Sequence, residues 1–167
     1  MSRGDLGLMA KWLNTKEVLE FFGDPDAPPS ARQVQEKYGP RIDGMSAVEP
    51  YIAETESKPF AFMQCYRLTD EDYKSYGYSV EETVYGIDQF IGEPELLGKG
   101  YGTRMVTEFL SFIFNERGAD AVTVDSELTN PRAIRCYEKC GFQKVKQIDG
   151  ERKWLMEINR GRWAETF

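Results

Sequence analysis

Leu96-Leu97-Gly98-Lys99-Gly100-Tyr101-Gly102-Thr103-Arg104 is the stretch that decides the fold. Its three glycines at alternate positions sit between an apolar run, Val84 to Ile91, and a helical pattern, Met105 to Asn115. Glycine has no Cβ, so several backbone N–H groups can turn into one concavity. A helix starting there adds its unpaired N–H groups and the positive end of its dipole. Such a loop suits an anion, above all a phosphate, with Lys99 and Arg104 adding charge at its rim. On loop shape alone, the alternative is an ordinary glycine-rich strand-to-helix turn. The spacing is not that of a P-loop, G-x-x-x-x-G-K-[ST]. It is not the dinucleotide fingerprint either, because Thr103 stands where the third glycine is needed.

Upstream, Leu6 to Leu13 carries apolar residues at helical spacing, and Thr15 can cap a second helix, Lys16 to Phe22. Ser30 and Gln33 have capping-box spacing, which predicts a helix from Ala31 to Tyr38. Val48 to Ala53 and Phe60 to Leu68 read as strands, and the polar, tyrosine-rich Asp70 to Val80 reads as a loop. Val84 to Ile91 is a strand whose pleat sets Gly86, Asp88 and Phe90 on one face. A charge on so apolar a strand needs a reason. Downstream, a helix is expected over Tyr101 to Arg117 and a buried strand over Ala121 to Asp125. Asn130-Pro131 opens a further helix, ended by Gly141. The strands Phe142 to Ile148 and Lys153 to Ile158 flank an Asp149-Gly150 turn. The fold class is α/β, a mixed and mostly antiparallel sheet flanked by helices. One domain over 1–167 is expected, with 159–167 as a peripheral tail.

Composition narrows the chemistry. There is no histidine, which removes Ser-His and Cys-His nucleophiles and most zinc sites. No metal is expected, and any base must be a carboxylate, a tyrosine or a water. The three cysteines, Cys65, Cys136 and Cys140, lack paired metal-ligand spacing. Cys136 and Cys140 read as core thiols with nothing nearby to lower their pKa. A net charge of −7 argues against nucleic acid or an anionic membrane as partner. With no long apolar run, the chain reads as soluble and cytoplasmic, a monomer or homodimer. Thr69 to Leu97 holds eight acids and one base, whereas Lys99 to Lys146 holds eight bases and six acids. An acidic zone beside a mildly basic one suits a small cationic substrate next to an anionic cofactor. For most of these acids the plainer reading is a solvated loop carboxylate.

Gly100 and Gly102 match the pyrophosphate loop of the GNAT acetyltransferases, usually [QR]-x-x-G-x-[GA], although Leu97 replaces the usual Gln or Arg. The segment Asn130 to Phe142 resembles that family's N-x-x-A-x-x-x-Y-x-x-x-G-F pattern. Tyr85 to Pro94, with Lys11-Trp12-Leu13 and Val18 to Gly23, resembles the aminoglycoside 6′-N-acetyltransferases in particular. The resemblance implies a GNAT fold, with acetyl-CoA donating to the 6′-amine of an aminoglycoside by direct attack. The family usually opens with a strand, and none is expected here before the first helix.

By the same resemblance Asp88 meets the amine to be acetylated, as base or as binder, and the Tyr137 hydroxyl meets the CoA sulfur. The cofactor is implied to lie on Phe90, Ile91, Gly98, Lys99, Gly100, Tyr101, Gly102, Thr103, Arg104, Asn130 and Ala133. Asp125, Glu82 and Asp72 are candidates for binding a polycation, and Phe22, Tyr38 and Tyr76 for apolar walls against sugar rings. For those three aromatics, core packing is the competing reading. Asp88 competes with a structural ion pair and Tyr137 with a packed core tyrosine. The other acceptors that this set of residues allows are a polyamine, a lysine derivative of siderophore synthesis or a peptide. The non-enzymatic alternative is a CoA-binding module.

Overall fold

The computed structural model describes residues 1–56 and 58–166. After a short 3-10 turn come helices α1 (Leu6–Trp12), α2 (Lys16–Leu19) and α3 (Ala31–Ile42). Strands β1 (Glu49–Thr55) and β2 (Lys58–Arg67) follow, then α4 (Asp70–Tyr76) and β3 (Val84–Ile91). The rest is α5 (Tyr101–Glu116), β4 (Ala121–Glu127), α6 (Pro131–Lys139), β5 (Gln143–Ile148), β6 (Lys153–Asn159) and α7 (Arg160–Thr166). The strands form one six-stranded sheet in the order β1-β2-β3-β4-β6-β5. Among the described residues no strand precedes Glu49. The β3–β4 pair is parallel, whereas β1–β2, β4–β6 and β5–β6 are antiparallel. This is the mixed, mostly antiparallel sheet expected from the element order.

The chain divides into two compact units. The first is Met1–Cys65 with Gln89–Lys99, and the second is Tyr66–Asp88 with the chain from Gly100 onward. In the first unit Met9, Trp12, Val34, Tyr38, Phe62 and Phe90 are buried together, with Phe22 packed against them. Gly92 is glycine because of Trp12: a β-carbon there would lie 2.1 Å from Trp12 Cδ2. The indole Nε1 in turn donates to Glu93 Oε1 at 2.8 Å, and Lys11 Nζ lies 3.0 Å from the same oxygen. The Trp12 hydrogen bond, before that of Lys11, holds the Glu93 carboxyl below the ordinary glutamate range.

In the second unit α5 buries Met105, Val106, Phe109, Leu110, Ile113 and Phe114 along one face. A separate cluster joins Leu68, Tyr73, Val84 and Ala121. The expected loop over Asp70 to Val80 is in fact helical in its first half. Thr69 and Asp72 form a capping box, and Gly77 closes α4 at φ 89°. Tyr73 then ties the segment down: its hydroxyl donates to the Glu82 carbonyl at 2.7 Å and accepts from Val84 N–H at 3.0 Å. Within the tail, Arg160–Thr166 forms helix α7. Trp163 stacks on Phe114 at 5.5 Å, and Arg162 Nε donates to the Gly141 carbonyl at 2.9 Å.

Two outcomes follow for the first unit. Gly92→Ala must displace a fully buried indole and should cost about 1–3 kcal/mol in urea unfolding, with the slope unchanged. Glu93→Gln should lower stability at pH 7. Because the folded-state pKa of Glu93 is depressed, its contribution is present above the ordinary glutamate pKa and fades as pH falls through the folded value. The deficit of the variant should therefore shrink in unfolding curves taken near pH 3.

Candidate active site

The glycine loop spans the end of the first unit and the start of the second along the chain. Gly98 and Gly100 adopt φ of 73° and 87°, which only glycine takes without strain. A β-carbon at either would meet no atom within 4 Å, so both face open space. Gly100 is the N-cap of α5, and among the described residues no side chain caps that end. The first intrahelical bond is Arg104 N–H to the Gly100 carbonyl at 3.1 Å, so the preceding turn presents its N–H groups outward. Lys99 is exposed, and Arg104 reaches along the helix to Glu108 at 2.8 Å.

On α6, Asn130 Oδ1 accepts from Ala133 N–H at 3.1 Å with Pro131 at the first helical position, so Asn130 is an N-cap. Tyr137 is buried, edge-on to Phe142 at 5.8 Å. Cys136 departs from expectation. Its Sγ lies 3.6 Å from Thr103 Oγ, in the first turn of α5. Hydrogen bonding to Cys140 and then to Thr103 holds the Cys136 thiol below the usual cysteine range, while the same pairing and burial push Cys140 up. Neighbours that lower a cysteine pKa are therefore present.

The parallel register of β3 with β4 covers Val84–Gly86 and Ala121–Thr123, whereas β4 stays in register with β6 through Glu127. Asp88 is half-buried just beyond that parallel stretch. Next to it sits a residue that the sequence did not single out. A β-carbon at Gly86 would lie 2.6 to 2.9 Å from the Tyr66 ring and hydroxyl, so that ring lies across the strand where a side chain is missing. A glycine inside an apolar strand was the available signal. Burial first, then the charges of Asp88 and Asp125, then Tyr76 and Asp72, raise the Tyr66 hydroxyl well above the ordinary tyrosine range. Burial, then Asp72, Asp125 and Asp88, raise Tyr76. Two tyrosines thus sense the same three carboxylates. Both stay protonated at neutral pH and can donate hydrogen bonds there.

Within the second unit, Asp88 and Asp125 each follow the paired Gly86 and Thr123 by two residues and so share a pleated face, and their charges, with that of Asp72, act on the Tyr66 hydroxyl. Two of these acids also have local duties. Asp72 accepts from Thr69 N–H and Oγ at 3.0 and 2.7 Å, and Asp125 pairs with Lys153 at 3.2 Å. Glu82 is not in this group: its carboxylate accepts from Ser79 N–H at 2.8 Å. Of the expected wall residues of the first unit, Tyr38 is core, and Phe22 is partly buried against that core. Tyr38 is 1% exposed and edge-on to Phe62 at 5.4 Å, and Phe22 packs on Phe90 at 4.8 Å. Phe90 also turns its ring into that core, which leaves only its backbone for a ligand.

Residues 2–150 match the acetyltransferase (GNAT) domain family. The chain belongs to the GNAT acetyltransferases. It is 37% identical over 167 residues to aminoglycoside N(6′)-acetyltransferase type 1 of Klebsiella pneumoniae, covering 96% of this chain and 81% of that one. Among solved structures it resembles AAC(6′)-Ib in complex with coenzyme A and kanamycin: the TM-score is 0.83 and identity 32%, over 99% of this chain and 95% of that one. AAC(6′)-Ib with ribostamycin and coenzyme A superposes with a TM-score of 0.84 at 33% identity, over 99% and 94% of the two chains. For a GNAT member, the mixed sheet and the free start of α5 after a glycine loop are the features to expect. Among the described residues no helix is long and apolar enough to cross a membrane.

The Gly86–Tyr66 contact can be tested by a cycle. Gly86→Ala should cost about 1–3 kcal/mol by overpacking. In a Tyr66→Ala background the same change should cost far less, because the ring it strikes is gone. Equal costs in the two backgrounds, measured by chemical denaturation, would show that the ring does not constrain residue 86.

Proposed function

We propose that this chain transfers the acetyl group of acetyl-CoA to the 6′-amine of an aminoglycoside. The placing of Asp88 and Asp125 on one pleated face of β3 and β4, where their charges act with that of Asp72 on the Tyr66 hydroxyl, carries the reading, because carboxylates beside a protonated hydroxyl match a polycationic, hydroxyl-rich acceptor. The relatives named above, with their aminoglycoside and coenzyme A ligands, support the same acceptor and donor.

The residues present fit acetyl-CoA. Gly98 and Gly100 leave an open cradle at the uncapped start of a 16-residue helix, the arrangement that suits a pyrophosphate. Backbone N–H groups of Gly98 to Thr103 would hold it, with Lys99 and Arg104 as flanking cations and Asn130 and Ala133 at the start of α6 beside the pantetheine arm. When bound, acetyl-CoA supplies the activated acetyl group as a thioester.

The chain's own residues have three tasks. An aminoglycoside amine arrives as an ammonium, and a carboxylate nearby raises its pKa further. Asp88 therefore orients the amine and passes its proton on, directly or through water, so that the nitrogen lone pair is free to attack. Backbone N–H of Phe90 or Ile91, next along β3, would stabilise negative charge developing on the carbonyl oxygen. One such donor is worth roughly 3–4 kcal/mol in oxyanion holes. The Tyr137 hydroxyl would donate a proton to the departing sulfur.

Asp88→Asn keeps the shape and removes the proton acceptor. It should lower kcat by about 10²–10⁴-fold while the KM for acetyl-CoA stays near that of the parent chain. Turnover close to normal in Asp88→Asn would remove Asp88 from the chemistry. Tyr137→Phe should lower kcat more than it weakens acetyl-CoA binding.

A further inference from the structure

The β4–β6 ladder sets Asp125 opposite Leu155 and Glu127 opposite Lys153. On one pleated face β4 thus presents Thr123, Asp125 and Glu127, and β6 presents Lys153, Leu155 and Glu157. Lys153 is the diagonal neighbour of Asp125, and its Nζ lies 3.2 Å from Asp125 Oδ1. It is the one cation among the described residues of this two-strand face. Asp125, together with Glu127 and Asp149, favours its charged form, against partial burial. The ion pair is half-open, with side-chain exposures of 29% for Lys153 and 39% for Asp125. A solvated cation from outside can therefore reach the carboxylate in exchange. Lys146, the other lysine close by, is already engaged: its Nζ donates to the Ser75 carbonyl and sits 5.7 Å from the centre of the Tyr76 ring.

Asp125 shares a pleated face with Asp88, because each lies two residues beyond the paired Gly86 and Thr123, so the amine on Lys153 occupies a place that an acceptor ammonium could take. We infer that Lys153 is a specificity residue: it serves as a built-in counter-cation on Asp125, which polycationic acceptors must displace and acceptors with a single ammonium need not. This rests on the acceptor reading above. A second acceptor ammonium then gains Asp125 only at the expense of the Lys153 pair. Discrimination among acceptors is set by how many amines they carry on the side away from Asp88. An exposed ion pair is weak, so the exchange shifts affinity without preventing binding.

The test compares the full-length parent chain with Lys153→Met, which keeps the stem and drops the charge, and Lys153→Arg, which keeps the charge. Binding by calorimetry and turnover by thiol release are both read. The probes are kanamycin and a kanamycin derivative in which every amine but the 6′ is replaced by hydroxyl. Lys153→Met should tighten kanamycin and lower its KM by about two- to fivefold, with kcat within about twofold. It should leave the single-amine derivative unchanged, and Lys153→Arg should behave as the parent does. Adding Asp125→Asn should cancel the gain.

Unchanged or weaker kanamycin binding in Lys153→Met would overturn the inference. So would an equal effect on both ligands, or no kanamycin binding by any variant. If the parent chain binds kanamycin but releases no thiol, the proposed acetyl transfer fails. The calorimetric comparison then still decides the role of Lys153.

Discussion

Tyr66 can lie across β3 only because residue 86 has no β-carbon, and the proposed acceptor site depends on this steric allowance. A methyl group at position 86 would sit within 2.6 Å of the ring, closer than any carbon tolerates. With the ring in place, its hydroxyl senses Asp88, Asp125 and Asp72, which lie far apart in sequence. Each acid arrives by a different route. Asp88 comes from β3, just beyond its short parallel register with β4. Asp125 comes from β4, where the ladder with β6 continues. Asp72 caps α4 through its pairing with Thr69. The negative field is therefore built into strands and a capped helix rather than a loose loop, which suits recognition of a rigid, many-armed cation.

The glycine loop supplies the opposite polarity. Its two left-handed glycines follow the short 3-10 turn Pro94–Leu96, and α5 starts at the second of them with no side-chain cap among the described residues. An anion placed there meets a helix start, whose charge comes from backbone and costs no side-chain ordering. In the proposed reaction the glycine loop would face the anionic donor and the carboxylates the cationic acceptor. The absence of histidine fits this division, because a carboxylate and a tyrosine can cover the proton transfers.

The parts of this arrangement that local chemistry dictates were legible in the sequence. Val84–Ile91 was readable to the residue as a strand, because an apolar run bounded by polar and glycine-rich segments has few other options. The Asn130 cap and the glycine loop carry their geometry in residue types. Other features depend on contacts that no local pattern reports. Tyr38 and Phe22 read more readily as core than as binding walls, and tertiary packing leaves Tyr38 fully buried against Phe62 but Phe22 only partly buried against Phe90. Tyr66 looked like one aromatic among many on β2 until Gly86 gave its ring a place to lie. Cys136 looked inert because its partners Thr103 and Cys140 meet it through tertiary packing and the helix end. The helix over Asp70–Tyr76 could have been read: Thr69 and Asp72 have capping-box spacing, but a high density of polar residues and tyrosines obscured it.

The most direct test of the account is CoA thiol release from acetyl-CoA with an aminoglycoside that carries a 6′-amine, set against its 6′-hydroxy counterpart. Release with the first and none with the second is the predicted result, and it fixes acceptor class and position together. Equal release with both, or none with either while acetyl-CoA still binds, would contradict 6′-acetylation as the reaction of this chain.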